Sequence, residues 1–208
     1  MILKRLFDLS VCIVAAPVIV PVALVAVVVV KCSSPGPVFY RGRRMGIHAK
    51  PFYIYKFRTM YIDAERTGGM ATALNDRRIP PGCDWLRRFK IDELPQFINV
   101  LKGEMSVVGP RPEIEALTRH YTEEQRRIFS VRPGITDFAS VKFINLGRIL
   151  GEGDVDEKFM REVEPEKTRL RLKYVDEQSF WTDAKILIMT VGAMLRLPSL
   201  WNSRKDRR

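Results

Sequence analysis

Apolar and polar positions are unevenly distributed along the chain, and the first thirty residues set the pattern. After "MILKRLFD" come 22 residues without a charge, Leu9 to Val30, and then Lys31. A helix of about 20 apolar residues is enough to cross a bilayer core. Pro17 and Pro21 interrupt the run, and each removes a helix hydrogen bond and crowds the carbonyl one turn back. Basic residues flank both ends: Lys4 and Arg5 before, then Lys31, Arg41, Arg43, Arg44 and Lys50 after. Positive flanks stay on the cytoplasmic side, and a single span cannot keep two there. The pattern therefore predicts a helix broken at its prolines that dips into the membrane and returns on the same face. A cleaved signal peptide fits worse, because the run is long and no small-residue cleavage motif follows it.

Further along, "SSPGP" reads as a turn, and alternation over Val38 to Arg41 and Phe52 to Phe57 predicts a β-hairpin. Residues 61–82 read as loop with some helix, and Trp85 to Lys90 as a short basic segment. Leu94, Phe97, Ile98 and Leu101 fall at i, i+3, i+4 and i+7, one face of a helix that Gly103 ends. Asp92 then stands where an N-cap would, with Glu93 in the first turn. Residues 113–129 suggest another helix, "VRPGIT" a turn, and the charged stretch around "EPEK" a solvated helical face. The last apolar stretch, "SFWTDAKILIMTVGAMLRLPSLW", is too interrupted to span, with ten residues between Lys185 and Arg196. Trp181, Trp201 and the basic tail Arg204, Lys205, Arg207 and Arg208 suit a helix lying in the interface of an anionic membrane. A core helix with a solvated tail is the other reading.

Composition sharpens this picture in one respect. The chain of 208 residues is long enough for one domain with a real core. Its net charge is +11, and residues 1–60 hold nine Lys and Arg against Asp8 alone. A basic end of this kind is a contact surface for phosphates, whether of lipid, nucleotide or nucleic acid. Three scattered cysteines and two histidines suggest neither a disulfide framework nor a zinc site, so a metal here would be a hard cation held by carboxylates.

Chemistry concentrates in "FKIDELPQFINVLKGEMSVVGPRP", residues 89–112. Asp92 and Glu93 are adjacent, and Arg111 is stiffened between Pro110 and Pro112, which suits an arginine that grips phosphate in a fixed fork. Lys56 and Arg58 lie two apart near the end of the second strand, hence on one face. Arg87 lies five residues before Asp92. On the residues alone, the acids fit either a helix start or a site for a magnesium-bound diphosphate.

The chain resembles the bacterial sugar transferases, the small monotopic polyprenyl-phosphate phosphoglycosyl transferases, from "KRLFDLSVCIVAAPV" to "SFWTDAKILIMT". The specific matches are "KFRTM", "IDELPQFINVLKGEMSVVGPRP" and "VRPGIT", in that order. The resemblance implies a mainly helical α+β protein: a re-entrant membrane helix with flanks (1–34), then a compact cytoplasmic-face catalytic domain (35–208) with a small hairpin and interfacial amphipathic helices. It implies transfer of a sugar-1-phosphate from a UDP-sugar to undecaprenyl phosphate with release of UMP, as the first membrane step of glycan assembly. Asp92 would be the nucleophile, forming a covalent phosphosugar intermediate, and Glu93 its partner, both associated with Mg²⁺. Lys56, Arg58, Arg87, Arg111 and Asp183 would bind substrate. The partners implied are UDP-sugar, polyprenyl phosphate and inner-membrane lipid at the cytoplasmic face, not nucleic acid; a homodimer is left open. Two departures stand out. Ala16-Pro17 replaces the Ser-Pro at which the family often breaks its helix, and Asp137 follows "PGIT" where many members have glycine, with Arg148 an uncertain match to a later arginine. Two rival readings are a metal-dependent glycosyltransferase using "DVD", Asp154 and Asp156, and a basic membrane-tethered binding module without activity.

Overall fold

The computed structural model describes residues 2–64, 76–151 and 154–202, with side chains as far as residue 196. Helix α1 (Ile2–Ser33) contains the whole apolar run as one continuous helix through Pro17 and Pro21, where the sequence predicts a break. Its ends are buried and its middle is not. Asp8 and Cys12 lie buried near the start and Ala26 and Val30 near the finish, while Ile13 (71 % exposed), Val14, Val18, Val20 and Leu24 face outward. Near the start, Arg5 donates to the carbonyls of Val100 and Leu101, and Asp8 accepts from the Val107 amide (2.9 Å) and the Ser106 hydroxyl (2.8 Å). Near the finish, Ala26 and Val30 pack with Phe57, Cys83 and Leu86. Arg5, counted in the sequence as part of a basic flank, is thus committed to the protein itself.

Strands β1 (Phe39–Met45) and β2 (Pro51–Phe57) pair antiparallel, as the alternation predicts. The first runs four residues further than expected, because His48 and Ala49 make the return in left-handed conformations (φ 56° and 55°). After α2 (Asp84–Arg88) comes α3 (Gln96–Lys102), whose buried face differs from the predicted one. Gln96, Asn99 and Val100 are buried, whereas Ile98 and Leu101 (55 % exposed) are not. The cause is polar docking onto β2: Asn99 donates to the Tyr53 carbonyl (2.7 Å) and accepts from the Tyr55 amide (3.0 Å). Satisfying two strand-edge groups outweighs burying two apolar ones, since an unpaired buried backbone group costs about 1–3 kcal/mol.

Strand β3 (Ser106–Val108) pairs in parallel with β4 (Gly134–Thr136), where the sequence suggests only a turn. The crossing is close enough that a Cβ on Gly134 would collide with the Gly109 backbone. The single helix expected over 113–129 is divided into α4 (Glu115–Thr118), α5 (Glu123–Arg126) and a 3-10 turn. The division falls at Thr122, whose capping box with Gln125 starts a new helix. Then follow α6 (Phe138–Lys142), α7 (Leu146–Leu150), α8 (Val155–Lys158), a π turn (Phe159–Val163), α9 (Glu164–Glu177) and α10 (Phe180–Asn202). The main core gathers Val100, Met105, Val108, Phe138, Tyr174 and Ile186 from α3, the β3 region, α6, α9 and α10. Phe7 of α1 meets Phe180 of α10 edge-on at 5.6 Å, and beside them Trp181 is 78 % exposed. The architecture is mainly helical α+β, with a long apolar first helix and a small antiparallel hairpin. The Trp201 side chain and the basic tail lie outside what is described.

Candidate active site

Asp92 and Glu93 lie in a 3-10 turn (Ile91–Glu93) between α2 and α3. Asp92 is not the N-cap of α3, as its position suggested; Pro95 occupies that place. The chain tightens before the acids because Lys90 adopts a left-handed conformation (φ 58°, ψ 19°), a strain on the order of 1 kcal/mol for a residue other than glycine. The acids therefore sit on a compact turn set by local backbone geometry.

Glu93 Oε1 accepts from Lys56 Nζ (3.1 Å), brought by β2, and from Arg111 Nη2, brought by the loop after β3. Burial alone would raise the Glu93 carboxyl, but Arg111 and then Lys56 hold it far below the usual carboxylate range. Burial pulls the Lys56 ammonium below its ordinary value, with Glu93 opposing. Arg111 is fixed at three points. Besides Glu93, its Nη1 donates to the Ile135 carbonyl (2.9 Å), and its backbone amide donates to Asp137 Oδ2 (3.1 Å). Asp137 is fully buried, and its other oxygen caps α6 by accepting from the Ser140 amide (2.6 Å). The aspartate that departs from the family's usual glycine thus clips the Pro110–Arg111–Pro112 loop to a helix start.

Asp92 is placed differently from its neighbour. It is buried, and its Oδ1 has no hydrogen-bond partner. Burial pushes its carboxyl upward, the Glu93 charge adds to this, and Lys56 and Arg87 oppose it. Such an unsatisfied buried oxygen costs about 1–3 kcal/mol, a cost that calls for a functional explanation.

The other residues singled out in the sequence are distributed unequally. Arg87 donates to the Thr59 hydroxyl (3.3 Å) and lies within electrostatic reach of Asp92. Arg58 does not share the Lys56 face, because β2 ends at Phe57. Its guanidinium is buried and donates to the carbonyls of Ser34 and Pro35 (2.8 Å to Ser34), sealing the turn after α1. Asp183 is buried with Lys4 and with the Tyr174 hydroxyl, which donates to it at 2.8 Å. Asp154 of "DVD" caps α8 by accepting from the Glu157 amide (2.9 Å), and Arg148 is exposed on α7. Sequence reading did not single out Thr59, although it lies within "KFRTM".

Among the described residues no group of three or more His, Cys, Asp or Glu side chains converges on one point. The dyad does fit a magnesium ion held mainly by a substrate's phosphate oxygens, since Mg²⁺ commonly takes one or two carboxylates and retains waters. The partnerless Asp92 Oδ1 is the available ligand atom; Glu93 Oε1 is already shared by two cations.

The family profile described as bacterial sugar transferase matches residues 1–197. The sugar transferase EpsL of Bacillus subtilis (strain 168), itself described as uncharacterized, is 38% identical over 195 residues, covering 94% of this chain and 88% of that protein. The UDP-glucose:undecaprenyl-phosphate glucose-1-phosphate transferase of Escherichia coli (strain K12) is 41% identical over 194 residues, 91% of this chain and 39% of that protein. The UDP-N-acetylgalactosamine-undecaprenyl-phosphate N-acetylgalactosaminephosphotransferase of Aeromonas hydrophila is 34% identical over 203 residues, 93% of this chain and 44% of that protein. The chain spans most of the first relative and less than half of the other two.

Proposed function

The chain belongs to the bacterial sugar transferase family, and on that footing we propose that it transfers a sugar-1-phosphate from a UDP-sugar to undecaprenyl phosphate and releases UMP. The observation that carries the residue assignments is the inequality of the two acids. Glu93 is engaged by Lys56 and Arg111, whereas Asp92 keeps a buried oxygen without a partner. Asp92 is therefore the nucleophile, and Glu93 orders the cations around it.

In the first half-reaction an Asp92 oxygen attacks the β-phosphorus of the UDP-sugar. The bond from that phosphorus to the bridging oxygen breaks, and UMP leaves with the electron pair. In the second, an oxygen of the lipid phosphate attacks the same phosphorus, the acyl-phosphate bond breaks, and the Asp92 carboxylate is restored. Lys56 and Arg111 stabilise charge on the equatorial oxygens, the main contribution a protein makes to phosphoryl transfer. Bound Mg²⁺ would supply further neutralisation of the diphosphate. Separating the substrates in time lets one small phosphate site serve both.

The anchoring of α1 at both ends to one folded domain, with its apolar middle exposed, supports a helix that enters and leaves the membrane on the cytoplasmic face. The exposed Phe180, Trp181 and Ile188 of α10 fit an interfacial position beside it. The DxD reading loses support because the Asp154 carboxylate is used as a helix cap.

The test is mass spectrometry of protein quenched after mixing with UDP-glucose or UDP-N-acetylgalactosamine alone. A sugar-phosphate adduct on the peptide containing Asp92 is expected, and Asp92→Asn should release no UMP. Intersecting kinetics without any adduct would replace the covalent route with direct attack by the lipid.

A further inference from the structure

Lys90 has no assigned role, yet its placement asks for an anion. The turn that carries both acids closes on its backbone: its amide donates to the Arg87 carbonyl (3.1 Å) and its carbonyl accepts from the Glu93 amide (3.2 Å). It holds a left-handed conformation that lysine seldom adopts, and strain of this kind persists where surrounding structure enforces it, often at functional sites. Its side chain is half-buried, and neither hydrogen bond nor ion pair engages the ammonium among the described residues. Its neighbours differ in this respect. Lys56 and Arg111 are both bound to Glu93, and Arg87 reaches Thr59. The Lys90 charge nevertheless acts on both acids, drawing each carboxyl downward.

Given the UDP-sugar reading above, we propose that Lys90 is a further substrate-binding residue, holding diphosphate oxygens of the nucleotide-sugar donor beside the Asp92 carboxylate. An unengaged ammonium two residues from the nucleophile meets an incoming phosphate without first breaking an ion pair. A lysine suits the task, because its compact charge and three rotatable donors follow phosphate oxygens without a fixed fork. The left-handed backbone directs this side chain from the same turn that presents Asp92, so donor and nucleophile share one rigid support.

The experiment separates backbone from charge. Asparagine tolerates the left-handed region better than lysine, so Lys90→Asn keeps the turn and removes the ammonium, while Lys90→Arg keeps a positive charge. Initial rates of UMP release are measured on the full chain in detergent, varying UDP-glucose with undecaprenyl phosphate saturating and then varying undecaprenyl phosphate with donor saturating, each beside a thermal melt. Lys90→Asn should melt at or above the wild-type temperature and raise the donor KM about tenfold, a loss of about 1.4 kcal/mol in binding. Lys90→Arg should recover most of that loss. An unchanged donor KM in a folded Lys90→Asn protein would overturn the assignment, leaving Lys90 a turn residue. A shift confined to the lipid KM would also overturn it, by moving the contact to the acceptor phosphate. Should Lys90→Asn fold poorly, Lys90→Gly, which relieves the backbone strain, gives the same readout. Absence of UMP release by the wild-type protein with any UDP-sugar defeats the proposed reaction itself, a result distinct from failure of the Lys90 assignment.

Discussion

Lys4 Nζ lies 2.8 Å from Asp183 Oδ2, joining the first turn of α1 to the first turn of α10. Tyr174 completes the junction: its single hydroxyl proton is shared between Asp183 Oδ1 (2.8 Å) and the Val108 carbonyl (3.0 Å). Lys4 is also 3.4 Å from Asp8, so one ammonium serves two buried carboxylates. Removing one member of a buried pair leaves an uncompensated charge and costs about 3–5 kcal/mol. Lys4→Met should therefore destabilise by about 3 kcal/mol, a fall in Tm of roughly 6–12 °C. Asp183→Asn should destabilise likewise, and the double variant by less than the sum. Thermal melts of the four proteins decide the matter. Lost turnover in Asp183→Asn at an unchanged Tm would instead place Asp183 in the substrate site.

Arg111 depends on both its fork and its backbone. Arg111→Lys loses the bidentate geometry, and UMP release should fall about 100-fold. Asp137→Ser should retain the α6 cap but lose reach to the Arg111 amide, lowering kcat by roughly tenfold or more through misplacement. Asp137→Asn keeps one acceptor oxygen but turns an NH2 donor toward the other backbone N–H, so it should rescue this only in part. Steady-state kinetics beside melting curves check both variants; equal activity in Asp137→Ser and wild type would show that the clip is structural.

Removal of divalent metal should abolish UMP release, since two adjacent carboxylates and a diphosphate repel one another without a neutralising cation. Turnover after thorough chelation, with Mg²⁺ added back as the control, is the measurement. Undiminished activity in chelator would exclude a metal role.

Stability should fall on acidification through Glu113. Burial favours its protonated form, but Arg171 and then Lys167 outweigh burial and hold the carboxyl below its ordinary 4.5. A depressed acid contributes stability above the unfolded value and loses it as pH falls through the folded one. Melts from about pH 7 to 3 should show the wild type losing Tm below about 4.5, with a flatter acid limb in Glu113→Gln. Parallel curves would assign the acid limb to other carboxylates.

Both ends of α1 should be closed to impermeant thiol reagents applied outside intact cells. Cys32 is exposed at one end and reports directly; Leu3→Cys in a Cys32→Ser background reports the other. Labelling of one position alone would establish a spanning helix.

Much of the fold is legible in local sequence, and the losses have physical causes. The α1 apolar run is legible from its length and lack of charge, and the hairpin from alternation on either side of a turn. The pairing of β3 with β4 carries none, because three residues bounded by proline and glycine are too few for alternation to register. The face of α3 differs from the periodic one because Asn99 gains more from the part-buried β2 edge than Ile98 or Leu101 gains from burial. At the site, the motif places Lys56, Glu93 and Arg111 correctly as neighbours. It could not distinguish Arg58, whose partners are backbone carbonyls 23 and 24 residues away. The N-cap expectation for Asp92 fails at Lys90, whose left-handed turn no propensity would assign to lysine.

Glu93 Oε1 already satisfies two cations, so under the proposed reaction ligand capture at this site would be an exchange of anions and not a simple addition. An incoming guest must outcompete a resident carboxylate that is tethered, correctly aimed and always present. Chloride, acetate or any other singly charged ion gains little by that trade, whereas a diphosphate can hold Lys56 and Arg111 together. The tethered carboxylate would thus act as an internal competitor that discriminates by valence. Under the proposed reaction, the same group would return to the cations once the lipid product departs, resetting them for the next guest.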